Sequence, residues 1–161
     1  MAEFPNSPRT PREGRVAVLV SRYNEIVTGR LLDGARQCLR DRGIPDARVD
    51  VIWVPGAFEL PVAAETAAAS GRYAALVALG CVIRGETPHF EYVAGEAARG
   101  LGSVALAHRL AVGFGVLTTD SLEQAMARAG GAAGNKGYEA AEAALATADV
   151  LAQLTSAAPR D

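Results

Sequence analysis

The residues best suited to chemistry in this 161-residue chain lie in one short stretch, Arg84–His89, directly after an apolar run. Gly85 lets the backbone approach a ligand closely, and the free N–H groups at the start of the helix predicted to follow can bind an anion. Thr87 is predicted to cap that helix, with Pro88 in its first turn. His89 lies at the same point, and histidine, with an ordinary pKa of about 6.5, suits proton transfer near neutrality. The stretch therefore predicts a catalytic corner for a phosphorylated substrate.

Further candidate residues follow the first and second predicted strands. Tyr23 comes after the first strand, and Ala57, Phe58 and Glu59 come after the second. Because ligands bind beyond the carboxyl ends of the strands in parallel sheets, these residues are expected to meet the Arg84–His89 stretch at one site. A carboxylate such as Glu59 can accept hydrogen bonds from a polyol. The rings of Tyr23 and Phe58 either stack on a planar ligand or fill the core.

The elements that must position these residues alternate between strands and helices. Apolar runs predict buried strands over Val16–Val20, Val49–Val54, Ala74–Ile83 and Val112–Leu117. Helical patterns predict an amphipathic helix that ends at about Arg42, further helices over Glu59–Ser70, His89–His108, Ser121–Ala129 and Tyr138–Leu154, and a loop over Gly130–Gly137. The alternation predicts an α/β fold with three layers, α/β/α, built on a four-stranded parallel sheet.

The chain is expected to form one domain preceded by an arm. Residues 1–14 carry Pro5, Pro8 and Pro11 among arginine and polar residues, a composition typical of a flexible segment. Residues 15–161 are of a length suited to a single domain and contain no internal repeat.

Composition argues against several classes of function. The formal net charge of −2 argues against nucleic-acid binding, which requires a basic face. No stretch approaches the roughly 20 apolar residues of a membrane span, and no signal-peptide pattern is present. Cys38 and Cys81 fit neither a metal-binding spacing nor a disulfide framework, and both are expected to be buried thiols. These features predict a cytoplasmic protein without a bound metal.

Lysine is used at a single position. Fifteen of the sixteen basic residues are arginine, and Lys136 lies within the glycine-rich segment Gly134–Gly137. Either this position requires a compact ammonium group, or the residue has drifted on a solvated loop, and the sequence leaves both open. A Schiff-base role for Lys136, as in an aldolase, is disfavoured because its glycine-flanked setting offers no desolvation to activate the amine.

Six segments are informative when they are read together. They are S-R-Y-N at Ser21–Asn24, P-G-A-F-E-L-P at Pro55–Pro61, G-C-V-I-R-G-E-T-P-H-F-E-Y-V at Gly80–Val93, G-V-L-T-T at Gly115–Thr119, E-Q-A-x-x-R-A-G at Glu123–Gly130 and G-N-K-G at Gly134–Gly137. In order and spacing, the chain resembles the 6,7-dimethyl-8-ribityllumazine synthase family from Arg15 to about Leu154. The resemblance implies a flavodoxin-like version of the predicted fold.

The resemblance also implies an enzyme of riboflavin biosynthesis. Members of the family condense 5-amino-6-(D-ribitylamino)uracil with L-3,4-dihydroxy-2-butanone 4-phosphate, release phosphate and water, and use no metal or organic cofactor. By resemblance, Tyr23 would stack on the pyrimidine ring, Ala57, Phe58 and Glu59 would hold the ribityl chain, and Val82 and Ile83 would contact the pyrimidine through their backbones.

The phosphate site is implied in the same way. The backbone N–H groups of Glu86 and Thr87 would bind the phosphate together with the side chain of Arg128, and His89 would transfer protons. A carboxylate side chain beside a phosphate repels it, so only the backbone of Glu86 is expected to take part.

The resemblance implies a homopentamer with shared active sites. Phe114, Arg128 and Lys136 match residues that a neighbouring subunit contributes. The short Gly130–Gly137 segment is similar to that of members that assemble pentamers into sixty-subunit shells. The proline-rich arm argues against such a shell, because proline cannot donate the hydrogen bond needed to add a strand to a neighbour's sheet. The shell is left open.

Two other functions share parts of this pattern. The related archaeal-type riboflavin synthase has the same fold and dismutates two lumazines. A non-catalytic shell protein that binds lumazine or flavin would keep Tyr23 and Phe58 but would not require His89 and Arg128. The presence of both favours catalysis.

Overall fold

The computed structural model describes residues 1–6, 11 and 13–156. The strands of its main sheet are β1 (Arg15–Ser21), β2 (Val49–Val54), β3 (Tyr73–Ile83) and β4 (Ala111–Thr119). Its helices are α1 (Glu25–Asp41), α2 (Leu60–Ala69), α3 (His89–His108), α4 (Leu122–Arg128) and α5 (Lys136–Ser156). A small pair of strands, β5 (Ala129–Gly131) and β6 (Gly134–Asn135), precedes α5, and short 3-10 turns cover Asp46–Arg48 and Ala57–Glu59.

The main sheet has the strand order β2-β1-β3-β4, and every neighbouring pair is parallel. Parallel neighbours require crossover connections, which α1, α2 and α3 supply. Helices α1, α4 and α5 cover one face of the sheet, whereas α2 and α3 cover the other. The α/β class, the three layers and the four-stranded parallel sheet are therefore confirmed, and the strand order is flavodoxin-like.

The two central strands are apolar on both faces because helices cover both faces of the sheet. In β1, Val16, Val18 and Val20 belong to the core shared with α1 and α5, and Ala17 and Leu19 belong to the core shared with α2 and α3. All five side chains are fully buried. Burial of a valine or leucine side chain contributes about 1.5–3 kcal/mol. The alternating side chains of one short strand thus hold both helical layers to the sheet.

The start of α3 differs in one detail from the prediction. The helix begins at His89 and ends at His108, as predicted. The prediction that Thr87 caps it is wrong, because Pro88 occupies the N-cap position and no side chain caps the helix. Pro88 has φ −71° and ψ 4°, so the proline ring itself directs the chain into the helix.

The segment predicted as a loop, Gly130–Gly137, is partly ordered as a hairpin. In it, Ala129 pairs with Asn135 and Gly131 with Gly134 in antiparallel register. Helix α5 begins at Lys136 rather than at Tyr138. Lys136 is therefore the first residue of a helix and does not lie on a solvated loop.

Helices α2 and α3 are in very close contact. A Cβ atom at Gly100 would lie 2.6 Å from both Cβ and Cγ of Pro61, so only glycine allows this approach. Pro61 lies in the first turn of α2, as predicted, two residues after Glu59. The contact therefore holds the beginning of α2 against the middle of α3.

The described part of the predicted arm lies along the domain without regular structure. Residues 1–6 form neither helix nor strand, and the carbonyl oxygen of Pro5 accepts a hydrogen bond from Gln153 Nε2 at 3.2 Å. Arg48 donates to the carbonyl oxygen of Pro11 at 2.9 Å and to that of Gly14 at 2.6 Å. Residues 7–10 and 12 of the arm, and residues 157–161 of the predicted domain, lie outside the described residues. The division into arm and domain stays a prediction.

The two cysteines are free and buried, as predicted. Burial raises the pKa of both thiols to about 11, so Cys38 and Cys81 are uncharged near neutrality. Within the described ranges, no helix combines the length and the apolar character needed to cross a bilayer.

A polar cluster ties β1, β2 and β3 together at their amino-terminal ends. Arg15 Nε donates to Asp50 Oδ2 at 2.7 Å, and Arg15 Nη2 donates to Asp50 Oδ1 at 2.5 Å. The hydroxyl of Tyr73 donates to Asp50 Oδ2 at 3.0 Å. The hydrogen bonds from Arg15, together with that from Tyr73, lower the pKa of the Asp50 carboxyl to about 2.

This cluster predicts an acid-dependent loss of stability. An unfolded aspartate has a pKa of about 3.9, so the Asp50 carboxylate stabilises the fold above about pH 4. That contribution is lost as the pH falls from about 4 towards about 2. Asp50→Asn should lower the free energy of unfolding near neutral pH by about 1 kcal/mol, since the pair is partly exposed, and should weaken its dependence on pH between about 4 and 2. Urea denaturation at one protein concentration across this range measures both effects, and the exposed Asp33→Asn is the control. Full acid dependence in Asp50→Asn would contradict the assignment.

Candidate active site

A cleft of about 700 Å³ opens at the carboxyl ends of β1, β2 and β3. Most of the residues predicted for the site line it, and these are Tyr23, Ala57, Phe58, Glu59, Val82, Ile83, Thr87 and His89. They come from three separate segments of the chain, which the parallel sheet brings to one edge. The expectation that these strand ends form a single cleft is therefore confirmed, although their chemical roles stay predictions.

The segment after β1 is fixed by hydrogen bonds to its neighbours. Asn24 adopts the left-handed conformation with φ 60° and ψ 44°, and its Nδ2 donates to the carbonyl oxygen of Cys81 in β3 at 2.9 Å. The N–H of Tyr23 donates to the carbonyl oxygen of Pro55 at 2.9 Å. The Tyr23 side chain itself is 74% exposed, so its ring is presented to the cleft rather than used in the core. Asn24, the last residue of the S-R-Y-N segment, lines the cleft as well.

The segment after β2 holds a carboxylate in place. Glu59 Oε2 accepts a hydrogen bond from the N–H of Gly56 at 2.9 Å, so the side chain folds back on its own turn. Ala57 is buried, whereas Phe58 is 56% exposed and faces the cleft. The turn thus presents an aromatic ring and a fixed acceptor side by side.

The segment after β3 offers unpaired donors. Among the described residues, the N–H groups of Gly85, Glu86 and Thr87 donate to no protein acceptor. Gly85 and Thr87 line the cleft, and His89 follows as the first residue of α3. Free N–H groups beside a helix N-terminus suit an anion. Apart from Gly85 and its two chain neighbours, no described residue has an atom within 4 Å of the place where a Gly85 Cβ would stand, so packing against the rest of the chain does not require glycine there.

Four predicted site residues do not line this cleft, namely Glu86, Phe114, Arg128 and Lys136. Phe114 lies on the edge strand β4 and is 49% exposed. Arg128 ends α4, where its Nη1 donates to the carbonyl oxygen of Gln124 at 3.0 Å. The Nζ atom of Lys136 donates to Glu139 Oε2 at 2.7 Å. Within one chain these side chains are not brought together with the rest of the site.

Asn135 explains much of the Gly134–Gly137 motif. Its Oδ1 accepts hydrogen bonds from the N–H groups of Gly137 at 2.9 Å and Tyr138 at 3.2 Å, and thereby caps α5. Its Nδ2 donates to the carbonyl oxygen of Arg30 in α1 at 3.0 Å. A Cβ atom at Gly137 would lie 1.9 Å from the carbonyl oxygen of Leu31, so glycine is required there. Asparagine directly before a helical pattern is a cap signal that the sequence analysis missed.

The chemical groups in the cleft suit proton transfer and anion binding. The Cys81 thiol contributes to the wall but stays protonated near neutrality, because burial raises its pKa to about 11, so it is a poor nucleophile. No three His, Cys, Asp or Glu side chains in the described part of the chain lie together in a way that could hold a metal ion. The exposed His89, the fixed carboxylate of Glu59 and the free N–H groups after β3 form the reactive surface.

The fold and the cleft define a class of protein: a three-layer α/β domain whose ligand site lies at the carboxyl edge of a parallel sheet. The profile of the 6,7-dimethyl-8-ribityllumazine synthase family matches residues 13–152. The chain belongs to this family, whose members are transferases of riboflavin biosynthesis. The resemblance found in the sequence is thereby confirmed.

The Asn135 cap, directly before Lys136, yields a prediction about the stability of the fold. Asn135→Ala should lower the free energy of unfolding by about 1–2 kcal/mol, because α5 loses its cap and its tie to α1. Asn135→Asp keeps the acceptor oxygen and loses only the donation to Arg30, so its loss should be the smaller of the two. Chemical denaturation at matched protein concentration compares the variants. Equal stabilities for the wild type and Asn135→Ala would show that the cap is not needed.

Proposed function

We propose that this chain is a 6,7-dimethyl-8-ribityllumazine synthase that condenses 5-amino-6-(D-ribitylamino)uracil with L-3,4-dihydroxy-2-butanone 4-phosphate. The products are 6,7-dimethyl-8-ribityllumazine, phosphate and water. The family match over residues 13–152 carries this proposal. The cleft supports it, because an aromatic ring, a fixed carboxylate, free N–H donors and a histidine surround one space large enough for two small molecules.

In this proposal the pyrimidine substrate binds between the ends of β1 and β3. Tyr23 stacks on the pyrimidine ring, and the backbones of Val82 and Ile83 contact its edge. Ala57, Phe58 and Glu59 hold the ribityl chain. The exposed ring of Tyr23 and the anchored carboxylate of Glu59 support these roles, since both face the cleft.

The phosphorylated substrate binds at the turn before α3. The N–H groups of Glu86 and Thr87 bind the phosphate, and Arg128 completes the anion site. Gly85 and Thr87, the neighbours of Glu86, both line the cleft, and the N–H of Glu86 donates to no acceptor among the described residues, which supports a role for the backbone of this turn. Binding both substrates in contact supplies much of the rate, because orientation removes entropy from the barrier.

The chemistry then requires proton transfer without a protein nucleophile or a cofactor. The amine of the pyrimidine substrate condenses with the ketone to form an imine and release water. Elimination of phosphate and closure of the second ring follow. In this proposal His89 moves the protons in these steps, and its exposure in the cleft at the start of α3 supports this role.

We also propose that the site is shared between subunits of a cytoplasmic homopentamer. Phe114, Arg128 and Lys136 would serve the cleft of a neighbouring chain. Their positions support this, since all three lie away from their own cleft and Phe114 is half exposed on an edge strand. Whether pentamers form a sixty-subunit shell is left open.

The decisive experiment is to mix the purified protein with both substrates and follow lumazine formation and phosphate release together. We expect equal amounts of both products, formed faster than in a protein-free control. Absence of acceleration by folded protein would refute the proposal. Conversion of added lumazine into riboflavin would instead favour the related riboflavin synthase activity.

The two histidines provide a matched test of the proton-transfer residue. His89→Ala should lower kcat by about 10²–10⁴-fold and leave the KM of both substrates largely unchanged, because only the transition state loses a group. His108→Ala is the control, since His108 Nε2 lies 2.8 Å from Glu65 Oε1 and joins α3 to α2 away from the cleft. Unchanged turnover in His89→Ala would rule out His89 as the proton-transfer residue.

A further inference from the structure

Arg84 lies directly after β3 and contacts three side chains at once. Its Nε donates to Asp120 Oδ1 at 3.0 Å, and its Nη1 donates to Glu91 Oε1 at 3.4 Å. The centre of its guanidinium group lies 4.4 Å from the centroid of the Phe90 ring. The chain thus uses both hydrogen bonding and a cation–π contact to fix one arginine beside the cleft.

The partners of Arg84 belong to two other elements. Phe90 and Glu91 lie in the first turn of α3, and Asp120 lies between β4 and α4. The backbone of Arg84 also contributes, since its N–H donates a hydrogen bond to the carbonyl oxygen of Thr119 at 2.8 Å. Arg84 therefore links the ends of β3 and β4 to the start of α3.

The turn formed by residues 85–88 makes few hydrogen bonds of its own to the described residues. The N–H groups of Gly85, Glu86 and Thr87 donate to no acceptor among the described residues, and no side chain caps α3. Free donors are useful to an anion only if the backbone holds them in one direction. The contacts of Arg84 with Asp120, Glu91 and Phe90, here called the Arg84 clamp, fix one end of this turn. Helix α3, which follows Pro88, fixes the other end.

We propose that Arg84 is a positioning residue for the phosphate substrate: through Asp120, Glu91 and Phe90 it holds the 85–88 turn so that its free N–H groups face the cleft. This inference rests on the proposed function for the identity of the anion. Arg84 does not line the cleft itself and acts through the turn.

Charge gives a second reason for an arginine at this position. Glu91 and Asp120 place two carboxylates near the anion site, and Arg84 pairs with both. Lysine carries one compact ammonium group, so it can replace the charge but not the planar fork that contacts two carboxylates and a ring together. Loss of Arg84 therefore both releases the turn and leaves two negative charges beside it.

The test compares Arg84→Met and Arg84→Lys with Arg99→Met. Arg99 lies on α3 and pairs only with Glu96 of the same helix, at 2.9 Å and 2.5 Å, so it is an ion-paired arginine that links no other element and does not line the cleft. Arg84→Met should raise the KM of the phosphorylated substrate about tenfold or more and change that of the pyrimidine substrate less than about twofold. Arg84→Lys should recover part of the loss, and Arg99→Met should resemble the wild type.

Either of two results would overturn the proposal. One is a wild-type KM for the phosphorylated substrate in Arg84→Met. The other is an equal rise in both KM values with a lowered Tm, which would indicate a general structural defect.

Hydrogen exchange tests the clamp without turnover. In Arg84→Met, the hydrogen-bonded N–H groups of residue 84 and Glu91 should exchange faster, and inorganic phosphate should protect the 85–88 turn in the wild type only. Equal protection by inorganic phosphate in both proteins would refute the role of Arg84. A wild type that is protected by phosphate but forms no lumazine would refute the proposed function and leave the clamp intact.

Discussion

Burial of the central strands on both faces is the constraint on which the rest of this structure depends. β1 and β3 lie between two helical layers, so their side chains must be apolar along almost their whole length. A polar or charged group in such a strand would lose its hydration without gaining a partner. The polar side chains of the cleft therefore come from the segments that follow the strands and from the start of α3, and parallel pairing gathers these segments at one edge.

The segments beyond the strands are then held by one another. The side chain of Asn24 reaches back to β3, Glu59 closes its own turn on Gly56, and Arg84 joins β3 to β4 and α3. Only the contact from Asn24 reaches the apolar core, through the carbonyl oxygen of Cys81. The core therefore determines where the segments of the cleft lie, and polar contacts between these segments and the strand ends hold them in place.

The local hydrophobic patterns of the sequence predicted well those strands and helices that form because their apolar side chains are buried. The bounds of β2 and α3 follow directly from the sequence, since turn signals enclose each pattern. The start of α5 was not found, although the cap by Asn135 on the N–H groups of Gly137 and Tyr138 is a local signal. Only the tie from Asn135 to the carbonyl oxygen of Arg30, distant in the chain, could not be predicted from the local sequence. The cleft could be predicted from the strand ends together with the family resemblance. The roles proposed for Phe114, Arg128 and Lys136 would require a second subunit, and none of the three lines the cleft of its own chain.

The contact between Gly100 and Pro61 has a consequence for which molecules the cleft admits. It joins α2 and α3 at a separation that leaves no room for even one added methyl group. Glu59 lies just before α2, and His89 begins α3, so the contact restrains the spacing between the two helices next to these residues. The packing of α2 against α3 therefore restrains the distance across the cleft between Glu59 and His89. Under the proposed function, selectivity for the length of the ribityl chain would then depend on helix packing as well as on the residues that contact the ligand.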